Sequence, residues 1–423
     1  MRSIKLSILV CAVFACIALF VSGGETQALQ NRAIATPSAT EAPTGFDDKT
    51  NGFVTQAIFN AGMGAFNKHY FERDGLGPVF NLQTCLRCHQ FPTLGGAGLL
   101  TVIRAGTFDG KKFNAPAGGT LIHTAGIPPS LTEKILPEFN VVAKRTATSI
   151  LGAGFIEAIS DDTLRLIASQ QPQKSQGRIK GQVVEVPVLE SPGTRRIGRF
   201  GWKNSHASLL SFTGDALRNE IGITNPLFPT ENTFNGKSVA DYDKAPDPEV
   251  DITRLETITN FLRGTKAPSR ITELPGFIES PEAQAGEKIF ASIGCAICHL
   301  PTIKTMPVGT VTNGGKLTIN EALGNKIVHP FSDFLLHDVG TGDGIVENGQ
   351  QDTRNKIRTA PLWGLGARVK RLGNNLALMH DGDSMSIEAA ILRHAGEASY
   401  VIDQYRKLTG ENKSLLIAYL SSL

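Results

Sequence analysis

Two five-residue stretches carry the side chains best suited to chemistry. Cys85-Leu86-Arg87-Cys88-His89 and Cys295-Ala296-Ile297-Cys298-His299 each set two thiols three positions apart, with an imidazole directly after the second. This is the spacing of covalent haem attachment. Each thiol adds across a haem vinyl group, and the adjacent histidine reaches the iron from the proximal side. A zinc site built from the two Cys pairs is the plainer alternative, but it gives neither histidine a role and draws its halves from distant parts of the chain. Two c-type haems are therefore expected, held by Cys85, Cys88, Cys295 and Cys298, with His89 and His299 as proximal iron ligands.

The rest of the composition narrows the class. A chain of 423 residues, 41% hydrophobic, is long enough for two domains and a sizeable core without covalent staples. The net charge is +3, two units of which come from Arg2 and Lys5 at the extreme N-terminus. The four propionates of two haems would turn the remainder mildly acidic, and no basic stripe suggests nucleic acid. Of the six cysteines, Cys11 and Cys16 lie near the N-terminus and the other four belong to the haem motifs. No pair remains for a disulfide or a redox dithiol, so thiol–disulfide exchange through protein sulfur is excluded.

The elements that position the motifs follow in order. Residues 1–24 read as a signal peptide: Arg2 and Lys5, an apolar run from Leu6 to Val21, then Gly23-Gly24. The run is short for a membrane span. Val13-Phe14-Ala15-Cys16 resembles a lipoprotein cleavage site only faintly, since Phe14 fits poorly, so a periplasmic or otherwise exported protein without a lipid anchor is expected. Residues 25–45, rich in Ala, Thr, Pro and Gln, read as a flexible linker. An N-terminal haem domain is expected over 46–270 and a C-terminal cytochrome c-like domain over 271–423. Helical spacing predicts helices around Phe53 to Phe66, after Asp161-Asp162, over Trp202 to Glu220, and over Ile252 to Leu262. Glu282 to Ile293, running straight into Cys295, and Asn412 to Leu420 frame the second domain. Gly181 to Leu189 alternates as a strand of a small hairpin. Gly95–Gly98, Ala115–Gly119 and Gly309 to Gly349 read as loops, the first two able to pass close to a haem edge because Gly permits near backbone approach. The fold class expected is mainly α: two cytochrome c-like haem domains with long loops and a small β-hairpin insertion.

From Phe46 to the C-terminus the chain resembles the di-haem oxidoreductase family often labelled "thiol oxidoreductase". That family is similar to the bacterial di-haem cytochrome c peroxidases and to the di-haem enzyme that matures tryptophan tryptophylquinone. The resemblance rests on Gly198-Arg199-Phe200-Gly201-Trp202-Lys203, Glu220-Ile221-Gly222-Ile223-Thr224, Ser332-Asp333-Phe334-Leu335-Leu336-His337-Asp338, Arg358-Thr359-Ala360-Pro361-Leu362-Trp363-Gly364-Leu365 and Leu378-Met379-His380-Asp381-Gly382. In the peroxidases a Trp lies between the haems and a later distal Glu assists cleavage of the peroxide bond. Trp202 and Glu220 stand at nearly that separation, which implies catalytic roles for both. The plainer alternatives are a surface carboxylate for Glu220 and core packing for Trp202. The family's second haem takes its distal ligand fourteen residues after the His of a His-Asp-Gly turn. Here that position, counted from His380, is His394. The resemblance thus implies His299 and His394 on one iron, a low-potential electron-transfer haem closed to substrate, with Met379 as the rival ligand. The first haem becomes the reactive one, with His123 and His206 able to ligate or line its distal side. The Gln that peroxidases carry ten residues after the bridging Trp is Phe212 here, which removes a distal hydrogen-bond donor. A calcium ion between domains belongs to the family pattern but uses mostly backbone oxygens, so the sequence barely tests it. His337-Asp338 suits a haem propionate or an interdomain contact.

Three functions are open to such a chain. The first is an exported, peroxidase-like di-haem oxidoreductase, fed by an electron-donor protein such as a small cytochrome or cupredoxin. The second is a di-haem oxygenase acting on an apolar organic substrate, like the related rubber oxygenase. The third is an electron-transfer cytochrome with both irons fully ligated.

Overall fold

Helices carry the two haem motifs, and their sequences explain where they start, cross and stop. In the computed structural model, which describes residues 38–273 and 280–423, the helix Gln56–Phe66 is capped by the Thr55 side chain and Ile252–Gly264 by that of Asp251. The two pack closely. Phe261 sits 5.1 Å from Phe59 and 5.2 Å from Phe66 between ring centres. Gly62 makes the approach possible, because a Cβ there would lie 2.5 Å from Thr257 O. Phe66 then reaches the ring of His89 at 5.8 Å, so this helix pair forms the wall behind the first motif.

The helix Leu209–Ile221 begins at a Ser208 cap and ends at Gly222, φ 67°. It is tied to the helix pair by a buried ion pair: Glu157 binds Arg263 at 2.7 Å and also accepts from Leu209 N at 2.9 Å. The spacing-based expectation of a helix from Trp202 onward is corrected. Gly201 and Asn204 adopt positive φ (75° and 51°), which turns the chain before the helix can start.

On the far side, Pro281–Ile293 crosses Gly410–Leu420 at Gly286, where a Cβ would meet Leu415 O at 2.1 Å. Phe290 packs on Tyr419 at 5.4 Å. Gly294, φ 102°, stops the first of these helices and delivers Cys295.

Helices occupy 34% of the described residues and strands 15%, more strand than one hairpin supplies. The expected hairpin is present as Glu185–Pro187 against Arg195–Ile197, with Val184, Val186 and Val188 buried beneath it. In addition Thr101–Phe108 pairs antiparallel with Val141–Thr146 on one side and Phe113–Asn114 on the other. This three-stranded sheet lies in stretches for which the sequence suggested no strand.

The leader, residues 1–24, and most of the linker lie outside the described residues. The linker's end is not loose: Thr40–Glu41 pairs parallel with Lys326–Ile327, and Ala42 is buried. The described residues pack as one compact unit with two large apolar cores and three smaller apolar clusters. The first takes Phe59, Phe66 and Phe261 but also Ile303, Leu317 and Leu323 from beyond residue 270. The second gathers Phe290, Phe331, Tyr405 and Tyr419 around the second motif. Among the described residues no helix is long and apolar enough to cross a membrane.

Candidate functional site

Each Cys-Xaa-Xaa-Cys-His motif folds into a single tight turn, Cys85–Arg87 and Cys295–Ile297, that presents its histidine to a cavity. Burial pushes the Cys85, Cys88 and Cys295 thiols up to about 12, so they are uncharged. Among the described residues the four cysteines form no disulfide.

His89 Nδ1 donates to Gly96 O at 3.2 Å, and burial lowers the ring's pKa to about 4. His299 does the same toward Phe331 O at 3.0 Å, again with a pKa lowered to about 4. A neutral imidazole committed through Nδ1–H to a carbonyl leaves the Nε2 lone pair as a metal donor. The Gly95–Gly98 loop does approach the motif closely: a Cβ on Gly98 would fall 2.2 Å from Cys88 O.

The surroundings of the two histidines differ. Opposite His299 stands His394, with ring centres 6.5 Å apart. Its Nδ1 donates to Ala390 O at 2.8 Å, so its Nε2 is likewise free for a metal. A metal between two imidazoles needs about 2 Å on each side plus about 1 Å from each nitrogen to its ring centre, about 6 Å in all. The spacing fits one iron held by both rings. The cavity here is about 240 Å³ and also borders Met379, Arg358 and Arg368. Burial lowers each arginine to about 10, opposed at Arg358 by Asp333, and among the described residues Arg368 Nε has no hydrogen-bond partner. Buried guanidinium groups left in this state suit the carboxylates of a haem. His380 lines the same cavity; its Nε2 donates to Thr341 O at 2.5 Å, and its Nδ1 is buried with no hydrogen-bond partner among the described residues.

Opposite His89 lies a cavity of about 780 Å³. Among the described residues no second histidine ring stands against His89, whose ring contact is Phe66. Glu220, in the last turn of its helix, lines this cavity. Burial raises its pKa, while Arg104, 3.7 Å from Oε1, and the Asn81 amide, 3.0 Å from Oε2, pull the other way. Phe212 stacks on Phe200 at 5.8 Å and lines the same wall. His206 borders the cavity and faces Asp215 at 3.6 Å. His123 is buried against Glu133 at 2.9 Å and does not line the cavity.

Trp202 borders both cavities, with Nε1 donating to Thr146 O at 2.8 Å. Behind it lies a charge cluster that sequence reasoning missed. Lys203 binds Asp343 at 3.0 Å, Arg145 binds Asp343 at 2.7 Å and Glu347 at 2.5 Å, and Arg104 binds Glu347 at 2.9 Å. Asn81 was missed too. A charge inside an apolar strand, as Arg104 is in Thr101–Phe108, was the available signal. His337, for which the sequence offered a haem propionate or an interdomain contact, lies 2.9 Å from both Asp333 and Glu397 and 3.9 Å from Cys298 Sγ; Asp333 raises its pKa against the effect of burial.

Among solved structures, the chain is similar to Kuenenia stuttgartiensis hydrazine synthase pressurized with xenon, at 13% identity and TM-score 0.40, covering 99% of this chain and 100% of that one. It is similar also to a MauG-like protein associated with microbial copper homeostasis, at 15% identity and TM-score 0.40, covering 92% and 93%. No curated protein matches. The model of the family described as "Di-haem oxidoreductase, putative peroxidase" matches residues 128–423, a span that holds Trp202, Glu220, the second Cys-Xaa-Xaa-Cys-His motif and His394 and begins after the first motif. With most of the chain matched and two cavities each fronted by a metal-ready histidine, the chain belongs to the di-haem oxidoreductase family, whose cofactor is haem iron.

Proposed function

We propose that the chain is an exported di-haem c-type cytochrome enzyme that reduces hydrogen peroxide with electrons from a small donor protein, a cytochrome or cupredoxin. Haem bound through Cys85 and Cys88, and through Cys295 and Cys298, supplies the electron transfer and the site where peroxide is reduced. The chain's residues supply the rest. His89 and His299 offer Nε2 as proximal ligands. His394, facing His299, would be a second protein ligand to the metal at the second site, which would suit that site to hold and pass electrons. Trp202, in the wall shared by both cavities, spaces the two centres and lies on the path between them. At the first site Glu220 takes a proton from one peroxide oxygen and returns it to the other. The balance is one hydrogen peroxide, two electrons and two protons to two waters. Export agrees with this chemistry, since thioether-linked haem is attached outside the cytoplasm.

The observation that carries the reading is the inequality of the two cavities. The second is closed by His394 at 6.5 Å from His299, while the first has about three times the free volume and a buried carboxyl, Glu220, on its wall. A pure electron-transfer cytochrome needs a second histidine against His89; among the described residues His123 pairs with Glu133 outside the cavity lining, and His206 borders the cavity but faces Asp215 at 3.6 Å.

The test is low-temperature EPR and optical spectroscopy of the isolated diferric protein before and after peroxide. One high-spin and one low-spin ferric signal, with the high-spin one consumed by peroxide, is expected. Two low-spin signals indifferent to peroxide would leave an electron-transfer protein. A second reading, an oxygenase for an apolar organic substrate, draws on Phe212 in the wall of the larger cavity. It is distinguished by a high-spin signal that ignores peroxide while the reduced protein retains oxygen.

A further inference from the structure

Glu220 occupies the last turn of the helix Leu209–Ile221, so its aim depends on what fixes that helix end. A residue distant in sequence does so twice. Asn81 donates its backbone N–H to Glu220 O at 2.9 Å, and its side-chain Nδ2 to Glu220 Oε2 at 3.0 Å. Leu82 N adds a second bond to the same carbonyl at 3.2 Å. One asparagine thus holds both the main chain and the carboxylate. Its amide has only one orientation consistent with its neighbours: Oδ1 accepts from Thr124 N at 2.9 Å and from the Thr124 hydroxyl at 3.0 Å, so the NH₂ group faces Glu220.

The other charged and titratable groups that act on Glu220 do not grip it. Arg104 approaches Oε1 only to 3.7 Å and spends its close contact, 2.9 Å, on Glu347. His123 acts through space from its pairing with Glu133, Asp215 acts from the same helix with opposite sign, and the sulfurs of Cys85 and Cys88 feel the carboxylate across the cavity. Among the described residues Asn81 alone touches the carboxylate within hydrogen-bond distance.

We propose that Asn81, locked by Thr124, is the positioning residue of Glu220: it pins Oε2 so that Oε1 stays toward Arg104 and the first cavity, free to take and return a proton. The proposal rests on the reading of Glu220 as the proton-handling group. A donor fixed on one oxygen favours the ionised carboxylate, which is the form that must first accept the peroxide proton.

The test is an infrared pH titration of the holoprotein, with the Glu220 carboxyl band assigned by its loss in Glu220→Gln. In Asn81→Ala the protonation midpoint is expected to move up by about one pH unit, the size of a lost hydrogen bond to a charged group. Thr124→Val, at an exposed position, removes one of the two donors that hold Oδ1 and leaves the main-chain one, so the amide is held less firmly and the midpoint should move the same way by less. Thr124→Val also decides the matter if Asn81→Ala does not assemble with haem. A midpoint unmoved in the variants that do assemble overturns the proposal. Wild-type protein that ignores peroxide but shows the shifts would sink the peroxidase reading and leave the positioning role standing.

Discussion

The two cavities are built from the same five-residue motif and diverge in what each sets against it. At the second, the chain supplies a matching histidine, and the space closes down to about 240 Å³. At the first it supplies Glu220, Asn81 and Arg104 and leaves about 780 Å³. Their cations differ as well. Arg104 and Arg145 beside the first cavity are neutralised by the chain's own Glu347 and Asp343, whereas among the described residues Arg358 and Arg368 beside the second form no close ion pair, and only Arg358 feels a carboxylate, Asp333, through space. On the proposed reading, the motif specifies where a haem would sit and its proximal ligand. The distal wall, contributed by segments far away in sequence, specifies what that haem is for.

The sharpest way to break this contrast is His394→Ala. On the proposed reading it removes the low-spin bis-imidazole signal entirely and leaves two high-spin ferric centres, readable by EPR. A low-spin signal that survives would move the ligand role to Met379, which lines the same cavity. The next largest effect is expected from Glu220→Gln, which keeps the volume of the first cavity and deletes its proton carrier. Its rate with peroxide in stopped-flow should fall about 10²- to 10⁴-fold, with both ferric spectra unchanged. A smaller effect follows at the shared wall. Trp202→Phe should slow electron exchange between the centres without altering either spectrum, because Trp202 touches both cavities and ligates neither.

The legibility of the molecule follows the same division. Both motifs and the helix that ends at the second could be read locally from cap residues and helical spacing, while His394 was pointed to only by the family resemblance, through its offset from His380. The distal wall of the first site could not. Asn81 lies 139 residues from Glu220, and Arg104 lies 243 from Glu347. Nothing local marks an asparagine before Leu82 as a partner of a helix end. The strand Thr101–Phe108 was hidden for a related reason. Gly-rich loops flank it, and its register depends on Val141–Thr146, a pairing that sequence periodicity does not reveal. Trp202 was legible as a residue but not as a turn, because the positive φ at Gly201 and Asn204 breaks a stretch whose apolar spacing continues to look helical.

The difference in cations gives the last and smallest effect, and it has a sign that depends on haem. Arg368 donates to Ala377 O through one terminal nitrogen, while its Nε is buried with no acceptor. A base whose folded pKa is lowered, here to about 10, binds its proton less tightly in the folded chain than in the unfolded one. Folding of the haem-free chain is therefore opposed at neutral pH, and the penalty eases only as pH rises through about 10 toward the ordinary arginine value. Arg368→Met should stabilise the haem-free protein by about 1–3 kcal/mol, the cost of a buried donor left unsatisfied, as measured by urea unfolding at pH 7. In the holoprotein, a carboxylate of the second haem would answer this guanidinium, so the same substitution should be neutral or destabilising there. The first cavity supplies the control. Glu347 and Asp343 are held below the ordinary carboxylate range by Arg104, Arg145 and Lys203. Their contribution is present at neutral pH and is lost only as pH falls through and below that range, with or without haem. If Arg368→Met destabilised both forms equally, the guanidinium would be serving the fold rather than the haem, and the contrast between the two cavities would rest on their distal ligands alone.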